Sequence, residues 1–364
     1  MPSSRPLLSL LLFAAIVSVP AAMAQSAPLA PAEAAAAEAD YQRYCALCHG
    51  AGREGHANDA APSLKSKSLL ESGWPLPIHH AISYGRPGTP MGGYLDEVGG
   101  PMTAGDIVRL TRWLGDAGGI APIAMSPESV AGDPARGATV YATHCASCHG
   151  AEGQGGEGTA LGNAAMLALT DDAFLRHAIV EGRQDTPMPA FAGTLEDAAI
   201  DDVVAFVRSR AAGWDKPAPA DVPPSLDALV LNPGAAAPEF ALRDDLYVSA
   251  AELRRELDAG REMVLIDTRV PSVWRLGHIR GAMPLPYYSG ADVLAKLPRD
   301  GTWIVAYCEC PRAAAESVVR KLRAEGILST AVLYEGFQGW LAGGHPIVTG
   351  ATPDGDGAAA THAH

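Results

Sequence analysis

The chain has no cysteine to spare, no excess of positive charge and no apolar run long enough to be at ease in a bilayer. Its six cysteines fall into three close pairs, at 45 and 48, 145 and 148, and 308 and 310. None is left over for a long-range disulfide framework, so the thiols read as cofactor and reaction chemistry. Lys and Arg number 27 against 41 Asp and Glu, a formal net charge of −14. That balance argues against nucleic acid and against anionic lipid surfaces as partners. The N-terminal apolar run from Leu7 to Val19 is short for a membrane span. It follows Arg5 and leads to Ala22-Met23-Ala24, the pattern of a secretory signal peptide over residues 1–24 with a small-x-small cleavage site. The sequence is therefore expected to act in the periplasm, with no stable membrane span.

What is there begins with Cys145-Ala146-Ser147-Cys148-His149. Two thiols one helical turn apart can each form a thioether with a porphyrin vinyl group, and the adjacent imidazole is then carried beneath the iron. A structural zinc half-site would need two further ligands, and a thioredoxin-like redox pair does not need the histidine. The motif recurs as Cys45-Ala46-Leu47-Cys48-His49. The repeat extends further: residues 80–91 align without a gap to 177–188, each ending Gly-Arg-x-x-Thr-Pro-Met. Each copy then enters an amphipathic helix, Ala104 to Leu114 in the first and Asp197 to Arg208 in the second.

The repeated Thr-Pro-Met offers a second axial ligand, because proline stiffens an extended loop that can hold a thioether against the iron. Met91 and Met188 are the expected ligands. A single methionine is more often core filler, but here the repeat places it twice downstream of a proximal histidine. Met102 has no repeat partner and reads as helix-entry packing. His56, His79 and His144 lack repeat support and read as surface or loop residues; His80 and His177 read as structural, at the start of a helix.

With these motifs in view, residues 38–118 and 132–212 resemble two class I cytochrome c domains, small all-α folds wrapped around a covalent haem. The resemblance implies two covalently bound haem c groups. Cys45, Cys48 and His49 with Met91 would hold the first; Cys145, Cys148 and His149 with Met188 would hold the second. It also implies low-spin iron suited to electron transfer, with redox partner proteins as donor and acceptor.

Residues 25–37, rich in Ala and Pro, read as a flexible leader, and 213–244, with Pro217, Pro223, Pro224 and Pro238, as an inter-domain linker. From Tyr247 the pattern alternates. A helix over Ala250 to Leu257 is capped by Ser249 with Glu252. Strands are expected at Met263–Asp267, Trp303–Tyr307 and Thr330–Tyr334, and a helix at Ala313–Ala324 stopped by Gly326. Such alternation implies a parallel sheet flanked by helices, with reactive groups at the carboxyl ends of strands, where Cys308 falls.

Residues 245–349 resemble a rhodanese domain. The resemblance rests on Asp267-Thr268-Arg269, Gly277-His278-Ile279-Arg280-Gly281-Ala282, the strand entering Cys308, and Leu333-Tyr334-Glu335-Gly336-Phe337-Gln338-Gly339-Trp340 with Gly343-Gly344-His345-Pro346-Ile347. It implies that Cys308 is the sulfur-carrying nucleophile, in a loop whose N–H groups face the thiolate. The loop departs from the family pattern: it reads Cys308-Glu309-Cys310-Pro311-Arg312. Glu309 adds a negative charge, Pro311 removes a donor and Arg312 is the only cation. Three readings stay open for Cys310: a resolving thiol, the nucleophile itself, or part of a non-catalytic remnant. Asp267, Arg269 and His278 read as structural. Residues 350–364 read as a disordered tail. The expectation is a multidomain electron carrier whose third domain handles a small sulfur compound, as a sulfurtransferase or sulfur-compound oxidoreductase by sulfane-sulfur or dithiol chemistry. The alternative is a plain electron carrier with a docking module.

Overall fold

The computed structural model describes residues 28–56, 61–72, 75–126, 128–215, 226, 229–309 and 312–356. The segment read as a signal peptide and Cys310 lie outside the described residues. The first repeat forms five helices: α1 Pro31–Tyr44, α2 Ala46–His49, α3 Lys67–Ser72, α4 Leu76–Tyr84 and α5 Ala104–Gly118. The second forms the same five: α6 Pro134–His144, α7 Ala146–His149, α8 Ala164–Leu169, α9 Asp172–Glu181 and α10 Asp197–Arg208. Helix α1 begins inside the stretch read as a flexible leader. Alanine is the best helix former, Pro31 stands at the first helical position, and the Glu33 carboxylate accepts from the Ala30 N–H at 3.1 Å.

In each repeat the first and last helices pack together, burying Tyr41, Ile107, Leu110 and Leu114 in one and Tyr141, Val203, Val204 and Val207 in the other. The two repeats then exchange equivalent contacts, α3 against α9 and α4 against α8, which is the pattern of a local two-fold. His80 and His177 lie in the middle of α4 and α9, not at a helix start. Met102 is buried in the first core, as helix-entry packing requires.

The third unit is a six-stranded sheet of order β1-β3-β5-β6-β2, with β4 paired to β3. Its strands are β1 Val230–Leu231, β2 Tyr247–Val248, β3 Met263–Asp267, β4 Met283–Pro284, β5 Trp303–Tyr307 and β6 Thr330–Leu333. The helices are α11 Ala250–Asp258, α12 Pro271–Leu276, α13 Ala291–Leu294, α14 Ala313–Ala324 and α15 Gly336–Ala342. Every pairing is parallel except β1 with β3, which is antiparallel. Alternation along β3 and β5 splits the core: Val264, Ile266, Ile304 and Ala306 face α13 and α14, while Met263, Leu265, Val305 and Tyr307 face α11 and α15.

Two expectations about this unit are corrected. Strand β1 comes from the stretch read as linker; two apolar residues suffice because they need only cover the edge of β3. Residues 350–356, read as part of a disordered tail, fold back: Gly281 N–H donates to Pro353 O at 2.7 Å and Gly350 N–H to Arg275 O at 2.9 Å. Residues 357–364 lie outside the described residues.

Candidate functional site

The two cysteine–histidine motifs are built alike. Cys45 and Cys145 end the first helix of their repeats, each N–H donating to a tyrosine carbonyl one turn back, Tyr41 or Tyr141, at 2.8 Å. A single turn, α2 or α7, then carries the second cysteine and the histidine. His49 and His149 are buried. His49 Nδ1 donates to Pro62 O and His149 Nδ1 to Thr159 O, both at 2.8 Å. A carbonyl can only accept, so the proton sits on Nδ1 and the Nε2 lone pair is presented as a ligand, the orientation that metal-bound histidines adopt. Beside His149, a Cβ on Gly158 would come within 2.7 Å of the imidazole, so only glycine lets that strand of loop lie on the ring.

The turn after each histidine is locked by a residue the sequence reading passed over. Tyr41 OH donates to Gly50 O at 2.6 Å, and Tyr141 OH to Gly150 O at 2.9 Å. Gly50 and Gly150 both sit at φ +80°, which side chains rarely adopt. Both tyrosines recur at the same offset as the cysteine motifs, a signal that was available in the sequence.

The methionine loops are equally matched. Arg86 N–H donates to Met91 O at 2.6 Å and Arg183 N–H to Met188 O at 3.1 Å. Thr89 and Thr186 each donate a hydroxyl proton to the arginine carbonyl at 2.7 Å and accept from the methionine N–H at 3.2 Å. Met91 and Met188 are both half-buried. Burial lowers the Arg86 and Arg183 guanidinium pKa to about 10, and neither forms an ion pair among the described residues.

The donor set fits a c-type haem: two thiols, a tautomer-fixed imidazole, a loop-held thioether and, beside each loop, a desolvated cation for an acidic group. Burial pushes the Cys45 thiol up to about 12 and Cys145 to about 11, so neither is a ready thiolate at neutral pH.

In the sheet unit, Cys308 follows β5 and is buried on the face covered by α14. Its carbonyl accepts from Phe337 N–H at 2.8 Å. Gly336 (φ +62°) permits that approach, since a Cβ there would stand 2.5 Å from Glu309 O. The Glu309 carboxylate is committed. Arg269 Nη1 donates to it at 2.7 Å, and Gln338 Nε2 donates to its other oxygen. Arg269 also grips Asp267 with bonds of 2.6 and 3.0 Å and stacks over Phe337 at 3.8 Å. Asp267 and Arg269 thus anchor the cysteine loop. One guanidinium thus serves two carboxylates: the negative charge that the sequence sets beside Cys308 is hydrogen-bonded within a buried triad that keeps one net negative charge.

Arg312, expected to serve the cysteine loop, is held elsewhere. Its guanidinium stacks over Tyr247 and Tyr334, at 5.0 and 4.3 Å, and donates to Tyr334 O at 3.1 Å. As the N-cap residue of α14 it turns its side chain toward α14 and β2, where two aromatic faces attract it. His278 is buried against Trp274 at 4.1 Å with Nδ1 near Trp274 O, a turn-stabilising position.

Comparison with known proteins agrees with this geometry. The family model described as cytochrome c oxidase, cbb3-type, subunit III matches residues 32–114 and 132–207, and the rhodanese-like domain model matches 249–343. Subunit CcoP of a cbb3-type cytochrome c oxidase from Azospirillum sp. (strain B510) is 30% identical over 191 residues, 48% of this chain and 60% of that one. Cytochrome c6 of Thermosynechococcus vestitus is 34% identical over 101 residues, 25% of this chain and 84% of its own. A probable adenylyltransferase/sulfurtransferase, MoeZ of Mycobacterium tuberculosis, is 37% identical over 95 residues, 26% of this chain and 24% of that one. The chain thus spans 60% of the CcoP relative and about a quarter of MoeZ. Among the described residues no helix is long and apolar enough to cross a membrane. Cytochrome c domains imply covalent haem c and electron transfer with redox partners. The chain belongs to the cytochrome c family, as two tandem cytochrome c domains joined to a rhodanese-like domain.

Proposed function

We propose that the chain is a periplasmic dihaem cytochrome whose rhodanese-like domain handles sulfur at Cys308. Cys45, Cys48, His49 and Met91 hold one haem c; Cys145, Cys148, His149 and Met188 hold the other. A haem held between imidazole and thioether supplies an iron centre that exchanges single electrons with redox proteins. The observation carrying this reading is the duplicated hydrogen bonding: each histidine donates Nδ1–H to a carbonyl at 2.8 Å. In each copy the arginine–threonine–methionine loop closes through the same bonds. The domains are bounded at 38–118, 132–212 and 245–349, with the start of α1 from Pro31 added to the first and β1 and residues 350–356 to the last.

The sulfur role is supported by the place of Cys308 at the carboxyl end of a parallel strand. It is further supported by the bonds from Arg269 and Gln338 that hold the Glu309 carboxylate and so fix the backbone that follows the thiol. A persulfide on Cys308 forms by transfer of a sulfane sulfur from a donor such as thiosulfate, with sulfite leaving, and is discharged to an acceptor thiol or cyanide. A second reading makes the domain a docking module only. The burial of Cys308 and the diversion of Arg312 favour it.

One preparation tests both. The exported holoprotein should have lost residues 1–24 and carry the mass of two haems; a single haem would overturn the dihaem reading. Thiosulfate:cyanide and persulfide transfer should be lost in Cys308→Ser. No activity in the intact protein would select the docking reading, and loss only in Cys310→Ser would move the nucleophile to Cys310.

A further inference from the structure

The two cytochrome domains differ where the third domain meets the first. Between the paired cysteines stands Leu47 in one copy and Ser147 in the other. Leu47 packs on the core cluster that contains Cys308 and Tyr287; Ser147 is exposed. Before the motif, Tyr44 is buried and its counterpart His144 is exposed. Tyr287 OH donates to Tyr44 O at 2.5 Å and lies 2.9 Å from Tyr94 OH. Tyr288 stands edge-on to Tyr44 at 5.1 Å, and Arg43 Nη2 donates to Tyr288 O at 3.2 Å. In the second copy the counterparts of Tyr44 and Tyr94, His144 and Phe191, stand edge-on to one another at 6.1 Å.

A second seam lies just past the methionine. Ser272 Oγ accepts from Gly93 N–H at 3.1 Å and donates to Gly93 O at 2.9 Å. A Cβ on Gly92 would meet Val273 at 2.7 Å and Val270 at 3.0 Å. The second copy has Pro189 and Ala190 at these positions, both exposed, so a side chain stands where Gly92 lets Val270 and Val273 approach. At positions 44, 47 and 92 the first copy carries what a buried interface needs, and the second copy does not.

We infer that the rhodanese-like domain is a built-in cover over the cysteine edge of the first cytochrome domain. The first domain then exchanges electrons only with partners inside the chain, and the second, through the open edge around Ser147, meets an external redox protein. This rests on the dihaem reading. Each outward transfer moves one electron from the second domain to a one-electron oxidant, with no bond made or broken. Burial holds Tyr94 and Tyr287 far above the usual tyrosine range, so both hydroxyls stay protonated and the seam keeps its donors.

The test is amide hydrogen exchange on the full-length holoprotein, comparing residues 43–48 with 143–148. Exchange should be at least about tenfold slower in 43–48. In Ser272→Trp/Tyr288→Asp that protection should fall to the level of 143–148, with strands β3 and β5 still protected to show that the domain is folded. Equal exchange in the wild-type segments would overturn the cover. Reduced holoprotein mixed with an oxidised blue-copper protein gives the second arm. Ser147→Arg should slow the second-order rate about tenfold, roughly 1.4 kcal/mol, and Gln42→Arg, at an exposed position of the first domain outside the seam, should leave it unchanged; the reverse pattern would overturn the assignment. Haem content in each sample separates a failed ligation reading from a failed cover, because the amide comparison is read only in protein that carries haem on both motifs.

Discussion

The two cytochrome copies keep their ligand cages and part company at their surfaces and at one helix crossing. The tyrosine lock, the Nδ1–H to carbonyl bond and the three-bond methionine loop appear twice with equivalent partners. By contrast Tyr44 and His144, or Leu47 and Ser147, share a position and little else. A ligand cage tolerates little change because its donors are buried and must stay paired. A surface is free to acquire a neighbour. The comparison can be broken by asking whether paired substitutions act equally inside the cages and unequally outside them.

The largest difference is expected where the helices cross. Ala37 in α1 is fully buried, whereas its counterpart Gly137 in α6 lies so close to α10 that a Cβ would stand 1.9 Å from Asp202 O. Gly137→Ala should therefore destabilise the second domain by about 2–3 kcal/mol through overpacking. Ala37→Gly should cost the first domain only about 1 kcal/mol, chiefly helix propensity. Denaturant unfolding followed by domain-resolved hydrogen exchange reads both. Equal losses would mean that the helix crossings are the same after all.

Inside the cages the effects should match. Tyr41→Phe and Tyr141→Phe each leave a glycine carbonyl without its hydroxyl donor, at a cost of about 1–2 kcal/mol. The second measurement is the exchange rate of the turns after His49 and His149, which should rise in step. Smaller again, Thr89→Val and Thr186→Val remove one donor and one acceptor from half-buried loops. About 0.5–1 kcal/mol apiece is expected, with the methionine loop loosened and the rest of the domain unchanged. A response confined to one copy would show that the loops do different work.

How much of this was legible in the sequence depended on the range of the contact. The repeat, the cysteine–histidine motifs and strands β3 and β5 were readable because each is a local pattern. Tyr41 and Tyr141 were readable in principle, since they repeat at the motif's own offset. The two-residue strand β1 has no periodicity to detect, and its pairing with β3 exists only once the sheet is formed. Residues 350–356 carry a loop composition that hides a hydrogen-bonded return to His278 and Gly281. Tyr287 and Tyr288 look like ordinary core residues of one domain, and nothing near them in sequence points to Tyr44, which is 243 positions away from Tyr287. Glu309 appeared as a charge that weakens the cysteine loop, because its partner Arg269 lies forty positions upstream.

The smallest expected effect concerns the seam between the two cytochrome copies. Glu71 of α3 is nearly buried and accepts from His177 Nε2 of α9 at 2.9 Å; Lys67 is its second partner. Burial alone would raise its pKa, but the hydrogen bonds and charges of Lys67 and His177 outweigh that and hold it below the ordinary 4.5. A carboxyl depressed in the folded state binds fewer protons there than in the unfolded chain. Its contribution is therefore complete above about pH 4.5 and is lost as pH falls through the depressed value. The pairs around it are partly solvated, Lys67 being 62% exposed, so the stake is about 0.5 kcal/mol. Exchange of the amides of α3 and α9 should accelerate together below pH 4.5, ahead of α1 and α5. In Glu71→Gln that acid sensitivity should be gone, with α3 and α9 exchanging at one pH-corrected rate throughout. If the acid step survives in Glu71→Gln, the seam is held by the Ser68–Gly182 and Asn163–Pro87 contacts instead, and the α3–α9 carboxylate is a bystander.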